Sequence, residues 1–295
     1  MATDRTPALG ARRAEALATR LPPLLVAAER VAATVAQGLH GRRRVGQGDS
    51  FWQFRRYASG DALNRIDWRQ SAKSSQAAPT GWFVRETEWE ATQTVCLWRD
   101  ASPSMRWRGG GTTEKQERAS LLALALASLL LRGGERVLPI FPGARPVDGR
   151  FGLERLAMTL ESGQDDSGLP PDMALPRHAT AVLLGDFLSP LTDIQAAIGR
   201  LAATPMRGYV LQILDPAETA LPYRGRTRFR GLESDGDVLI PRVETIRDDY
   251  AHALQAHQTG LAAICAAAGF GFGLHLTDRP AETALLSLYA ALGPA

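Results

Sequence analysis

From Thr92 to the C-terminus, two kinds of segment take turns along the chain. Short apolar runs of strand length ("TQTVCLWRD", "RVLPIFPG", "ATAVLLGDF", "GYVLQILDP", "GFGLHLT") are separated by longer stretches with helical spacing. The helical stretches are "TTEKQERASLLALALASLLLRGGE", "GLERLAMTLESG", "LTDIQAAIGRLAAT", a long segment from Val243 to Ala268, and a last one after Pro280. Such alternation predicts an α/β fold, a doubly wound and mostly parallel sheet with helices on both faces. The first helix is expected to open on a capping box of Thr113 with Gln116 and to close at Gly133. "TRFRGLESDGDVLIPR" predicts a hairpin turning at Ser234, Asp235 and Gly236.

Ahead of Thr92 the pattern changes. Residues near 11 to 39 predict two helices divided at Pro22 and Pro23, because proline breaks a helix interior. "GLHGRRRVGQGDS" then interrupts with glycines and a basic cluster, and "GWFVRETEWE" alternates as a strand. The organisation is a helical segment over 1–45, a polar–aromatic segment with an edge strand over 46–90, and the α/β domain over 91–295. There is no internal repeat.

Composition narrows the function classes. With 295 residues, 45% hydrophobic and 22% charged, the chain has the make-up of an ordinary globular protein. A net charge of +3 is too small to argue for a nucleic-acid binder, and "GRRRVGQG" with Arg55 and Arg56 reads as a solvated basic loop. The basic residues are nearly all arginine; lysine occurs only at Lys73 and Lys115. "LLALALASLLL" falls short of the roughly 20 apolar residues of a membrane span and predicts a buried helix. No apolar h-region follows a basic start, so the expected location is cytoplasmic. Cys96 and Cys265, far apart in apolar surroundings, are expected as free core thiols. The five histidines have no ligand spacing. "RGGGTT" lacks the ending of a phosphate-binding P-loop and reads as a surface loop.

Candidate chemistry lies where apolar strands end, the place at which open α/β sheets bind ligands. The first core strand ends in "DASPSM", which sets Asp100, Ser102 and Ser104 on one tight loop, and "ATAVLLGD" ends at Asp186. Carboxylates and hydroxyls of this kind are hard oxygen ligands suited to Mg2+, or to Mn2+. The plainer reading is that Asp100 and Ser102 cap the loop and the following helix.

The segment "FRRYASGDALNRIDWRQSAK", Phe54 to Lys73, raises a second question: it is too polar for a core strand and too aromatic for a linker. Its Arg56, Tyr57, Gly60, Asp61, Arg65, Ile66, Asp67 and Trp68, followed by "VRETEWE" and "LWRDASPSM", resemble the signature of the bacterial family called domain of unknown function 58. The D-x-S-x-S loop with a later strand-end aspartate resembles the metal-ion-dependent adhesion site of von Willebrand factor A domains. The likeness runs from about Gly46 to the C-terminus. It implies an A-like fold and association with a MoxR-type AAA+ ATPase. It also implies a metal site at Asp100, Ser102, Ser104 and Asp186. The threonine that completes such a site has no counterpart in "SGQDDSGLPPDMALPRH", where Asp165, Asp166 or Ser167 are the substitutes, so weak metal binding is expected.

Two roles are open for the signature segment. Asp61 and Asp67 can pair with Arg56, Arg65 or Arg69 while Tyr57 and Trp68 pack on the sheet edge, clamping the N-terminal segment to the A-like domain. Alternatively Arg56, Tyr57, Asp61, Arg65, Asp67, Trp68, Arg69 and Lys73 form a docking face, since Arg, Tyr and Trp are favoured at interface hot spots. The leading expectation is a non-enzymatic adaptor that works with a MoxR-type ATPase on client proteins. The alternative is a magnesium-dependent phosphoryl hydrolase.

Overall fold

The computed structural model describes residues 23–36 and 51–292, apart from 60, 62, 64–65, 75, 77, 88–92, 110–112, 150, 163–167 and 233–235. Two compact units emerge: Met1–Gly38 together with Gln93–Ala295, and Leu39–Thr92.

Residues 23–36 form helix α1, which buries Ala28, Val31, Ala32 and Val35. The three- and four-residue spacing of those positions is one helical stripe. Pro23 is the first described residue of this helix. The helix expected ahead of it lies outside the described residues.

In the smaller unit, β1 (Phe51–Arg56) pairs antiparallel with β2 (Phe83–Thr87). β1 is a strand that the alternation pattern does not announce. The signature segment returns to β2 through a bridge between Ile66 and Val84, both buried, and then forms the single-turn helix α2 (Trp68–Ser71). Ser71 Oγ accepts from the Phe83 amide at 2.8 Å and donates to the Asp67 carbonyl, and the Asp67 amide donates to the Phe83 carbonyl.

The larger unit is built on a five-stranded, all-parallel sheet in the order β4-β3-β5-β6-β9. Its strands are β3 (Thr94–Arg99), β4 (Arg136–Pro139), β5 (Thr180–Gly185), β6 (Arg207–Leu214) and β9 (Phe270–Leu276). Helix α3 (Lys115–Arg132) packs with α4 (Gly152–Ser162) and α8 (Ala281–Leu292), while α5 (Leu191–Ala202) packs with α7 (Arg247–Ala267). A short helix α6 (Pro216–Ala220) and a hairpin of β7 (Thr227–Arg230) and β8 (Asp237–Ile240) lie between β6 and α7. The expected α/β alternation is present, strand for strand. The all-round apolar run in α3 is buried almost throughout, as a central helix requires. Cys96, Trp98, Ala181, Leu183 and Val210 form a core with Ile194 and Ile198 of α5 and Leu261 and Cys265 of α7. Both cysteines are free and buried there.

One local expectation shifts, at the start of α3. α3 begins at Lys115 with Glu114 as N-cap, its first bond running from the Arg118 amide to the Glu114 carbonyl, so the Thr113–Gln116 capping box does not form. Lys115 is held by distant carboxylates, and this pins the first turn. At the other end Gly133 is the C-cap, but the left-handed residue is Gly134, with φ of 81°. The hairpin turn at Ser234 and Asp235 lies outside the described residues; Gly236, with φ of 79°, closes it by accepting from the Gly231 amide.

Candidate functional site

β3 leads through α3 to β4 on one side, while β5 lies on its other side and leads to β6. The chain therefore diverges beyond the carboxyl ends of β3 and β5, the position of the ligand crevice in open α/β sheets. Asp100 and Asp186 each follow the last residue of one of these strands.

Asp100 is fully buried, its amide bonded to the Leu184 carbonyl at 2.8 Å. It lies so close to β5 that a Cβ on Gly185 would stand 2.9 Å from its own Cβ. Only glycine leaves room for the aspartate here. Asp100 Oδ1 accepts from the Ser102 amide at 2.8 Å, which turns the loop. The loop-capping role is therefore present. Ser102 stands at the N-cap of the 3-10 turn Pro103–Arg106 without a side-chain capping bond. Its hydroxyl lies 3.0 Å from Ser104 Oγ, and Ser104 Oγ donates to Asp186 Oδ2 at 2.7 Å. Because the one Ser104 proton goes to Asp186, Ser102 is the donor between the two serines. Asp100, Ser102, Ser104 and Asp186 thus form one continuous hydrogen-bonded chain across the two strand ends.

That chain continues into two residues that do not lie at strand ends. Lys115, fully buried at the start of α3, donates from Nζ to Asp186 Oδ2 at 2.9 Å and to Glu218 Oε1 at 2.5 Å. Glu218 is fixed in turn by a capping box at α6: its Oε2 accepts from the Asp215 amide at 2.7 Å, and Asp215 Oδ1 accepts from the Ala217 amide. Tyr250 of α7 donates to the Glu218 carbonyl at 2.6 Å. A lysine at a helix N-terminus opposes the macrodipole. Burial also works against its charge, and the Asp186 and Glu218 carboxylates more than offset this, holding the Lys115 pKa above the ordinary lysine value. Burial pushes the Glu218 carboxyl up, against the pull of Lys115.

The loop after β5 is built to present Asp186. Gln212 of β6 donates to the Asp186 carbonyl at 2.8 Å, and His257 of α7 lies 2.7 Å from the Phe187 carbonyl. Phe187 takes a left-handed φ of 48°, an uncommon state for a bulky residue, and buries its ring against Trp98 at 5.8 Å. Leu188, next along, is 42% exposed.

Asp165, Asp166 and Ser167 lie outside the described residues; the segment that carries them comes back to the site at Gly168, 3.7 Å from the Ser102 side chain by its virtual Cβ. As arranged, the donor set does not fit an open divalent-cation site. The Asp186 oxygen that faces Ser104 already receives a hydroxyl and an ammonium.

Beside this cluster lies an open groove of about 660 Å3. Asp186, Glu218 and Ser104 line its polar part; Trp107, Leu188, Tyr223, Phe229, Leu232 and Tyr250 supply apolar and aromatic wall, and the exposed Arg228 and Arg230 come from β7. The Tyr223 and Phe229 rings meet edge to face at 5.5 Å.

The signature residues sit in the smaller unit. Asp61 is held by Arg55 through two bonds of 2.6 Å, not by the arginines expected from spacing, and it also accepts from the Ala58 amide. Arg55 lies on the adjacent strand and reaches Asp61 across the turn. Asp67 is the N-cap of α2, accepting from the Gln70 amide at 2.8 Å. Arg56 bonds Gln76 Oε1 at 2.5 Å. Tyr57 and Trp68 both meet Trp82 edge to face, at 5.4 and 5.6 Å. Trp68 nevertheless remains 58% exposed, beside the exposed Arg69 and Lys73. Arg65 and Gly60 lie outside the described residues.

The family model for "Protein of unknown function DUF58" matches residues 53–260, from the signature segment through the strand-end site to α7. The chain belongs to this family. This DUF58 member is 25% identical over 281 residues to the uncharacterized protein Rv1480 of Mycobacterium tuberculosis (strain ATCC 25618 / H37Rv) and to the uncharacterized protein Mb1516 of Mycobacterium bovis, covering 88% of this chain and 86% of each relative. Among solved structures it matches the conserved hypothetical protein BatB from Bacteroides thetaiotaomicron at 16% identity and TM-score 0.34, over 67% of this chain and 97% of that one. An aerotolerance-related membrane protein from Bacteroides fragilis NCTC 9343 matches at 15% identity and TM-score 0.34, over 68% and 98%. Likeness at that level carries neither fold nor function. Among the described residues of this DUF58 member, no helix is long and apolar enough to cross a membrane.

Proposed function

We propose that this chain is a non-enzymatic protein-binding adaptor of von Willebrand factor A type, working in the cytoplasm with a MoxR-type AAA+ ATPase on client proteins. The observation that carries this reading is the groove at the strand ends. Its floor is polar and internally paired, while Leu188 and Leu232, 42% and 46% exposed, stand on its walls beside Trp107 and Phe229, with Arg228 and Arg230 at hand. Apolar and aromatic residues with arginine are the surface types that carry binding energy in protein interfaces. In the smaller unit, the exposed Trp68, Arg69 and Lys73 of the signature segment form a docking face of their own.

The hydrolase reading is less well supported by the same geometry. Metal-assisted phosphoryl transfer needs carboxylates open to the cation, and Asp186 and Glu218 are engaged by Lys115. The deciding experiment is calorimetry of the purified chain with the MoxR-type ATPase of the same source. Leu188→Asp combined with Phe229→Ala is expected to weaken binding at least about tenfold, equivalent to about 1.4 kcal/mol, without lowering the melting temperature. Undiminished affinity would remove the groove from the account. Magnesium-dependent phosphatase turnover that disappears in Asp100→Ala would replace the adaptor with an enzyme.

A further inference from the structure

We propose that the Lys115 ammonium is the permanent cation of the strand-end site, neutralising Asp186 from within the chain so that the site is assembled and held without a divalent metal. The inference stands on the geometry of the cluster and does not depend on the adaptor reading.

Asp100, Ser102, Ser104 and Asp186 offer the oxygen atoms that a hard cation takes. Here the positive charge beside them is a side chain. Lys115 is fully buried and donates to Asp186 Oδ2 at 2.9 Å and Glu218 Oε1 at 2.5 Å. Bonds of this kind between ionised partners are the strong class of hydrogen bond. Bonds other than those to Lys115 also hold these two residues. The Asp186 carbonyl is tied to Gln212, and Glu218 is locked in the α6 capping box. The serine hydroxyls are oriented for an occupied site: Ser102 donates to Ser104, and Ser104 donates to the Asp186 oxygen that Lys115 also bonds. A divalent ion at that oxygen would have the fully buried Lys115 ammonium as its immediate neighbour, and like charges repel most where water screens them least.

The sequence carries a trace of this device. In a chain whose basic residues are nearly all arginine, one of only two lysines stands at the first position of the helix that follows the D-x-S-x-S loop. Lysine suits the place because its ammonium is a compact point charge, whereas a guanidinium is a planar fork.

Manganese binding, read by the loss of the free-ion electron paramagnetic resonance signal, tests the inference directly. The wild-type chain is expected to bind no Mn2+ at millimolar concentration, and EDTA is expected to leave its melting temperature unchanged. Lys115→Ala, and the gentler Lys115→Gln, are expected to gain one Mn2+ site with affinity at least about tenfold above wild type and to melt higher when Mg2+ is added. A wild-type chain that binds one Mn2+, and loses it in Asp100→Ala, would overturn the inference. So would folded Lys115→Ala and Lys115→Gln proteins that gain no site. If neither variant folds, the wild-type titration decides alone: one bound Mn2+ overturns the inference, none supports it.

Discussion

The ammonium of Lys115 lies 2.9 Å from the Asp186 carboxylate, across 71 residues of chain, and joins the start of α3 to the end of β5. This contact ties the two loops that diverge from the middle of the sheet. It therefore couples the stability of the domain to the geometry of its strand-end site.

Lys115→Met should destabilise the protein by about 3–5 kcal/mol at neutral pH, the typical result of leaving a buried charge without its partner. The folded pKa of Lys115 is raised, so its contribution is fully present below the ordinary value of 10.5 and is lost as pH rises through the raised value. Melts of wild type and variant between pH 7 and higher alkalinity check this. The gap should stay constant up to about the lysine range and narrow only beyond it. A gap that closes already near neutrality would show that Lys115 is not held as a cation.

Asp67→Ala should lower stability by only about 0.5–2 kcal/mol, because Asp67 is a helix N-cap and not the partner of a buried arginine. The spacing of Arg56, Arg65 and Arg69 around it points to an ion pair; the backbone of Phe83 instead draws the residue to the start of α2. Denaturant unfolding measures the difference. A loss of several kcal/mol would return Asp67 to the ion-pair role.

The two thiols should be inert in the native state. Burial pushes Cys96 up to about 12 and Cys265 up to about 11. Little thiolate is then present at pH 8, and the thiolate is the reactive form. Ellman's reagent at that pH should titrate neither cysteine until denaturant is added; rapid native labelling of either would contradict the packing of the core.

His275 should make the protein acid-sensitive. Burial first, and then Arg118, lower its pKa to about 4, with Asp278 pulling the other way. Above about pH 6.5 both folded and unfolded chains carry it neutral. Below that the unfolded chain takes up a proton that the folded chain refuses, so stability falls with pH down to about 4, by at most about 1.4 kcal/mol per unit. The melting difference between wild type and His275→Gln should shrink across this window. A constant difference would place the imidazole in a solvated setting.

The parallel sheet was readable because every core strand is an apolar run of strand length and every crossover has helical spacing. Asp100 and Asp186 were readable for the same reason, as the first acidic residues after such runs. Lys115 and Glu218 were not, because what gives them meaning is a contact across 103 residues that no local pattern contains. Two weak signals pointed to them: a scarce lysine where a helix start favours acid, and the D-x-x-E capping box of "DPAE" after β6. β1 carries no strand signal because "FWQFRR" lacks the alternation of a half-buried strand, and its register with β2 has an irregularity between Phe51 and Gln53.

Hydrogen–deuterium exchange of the full chain with and without the MoxR-type ATPase shows whether that ATPase docks on the groove beside the Lys115-held site. Exchange should slow on binding in Ser104–Trp107, Asp186–Pro190 and Tyr223–Leu232 if the groove is the docking site, and around Trp68–Lys73 if the signature segment also docks. Protection confined to the signature segment, or to the α3 and α8 face, with the groove exchanging as in the free chain, would contradict docking on the groove.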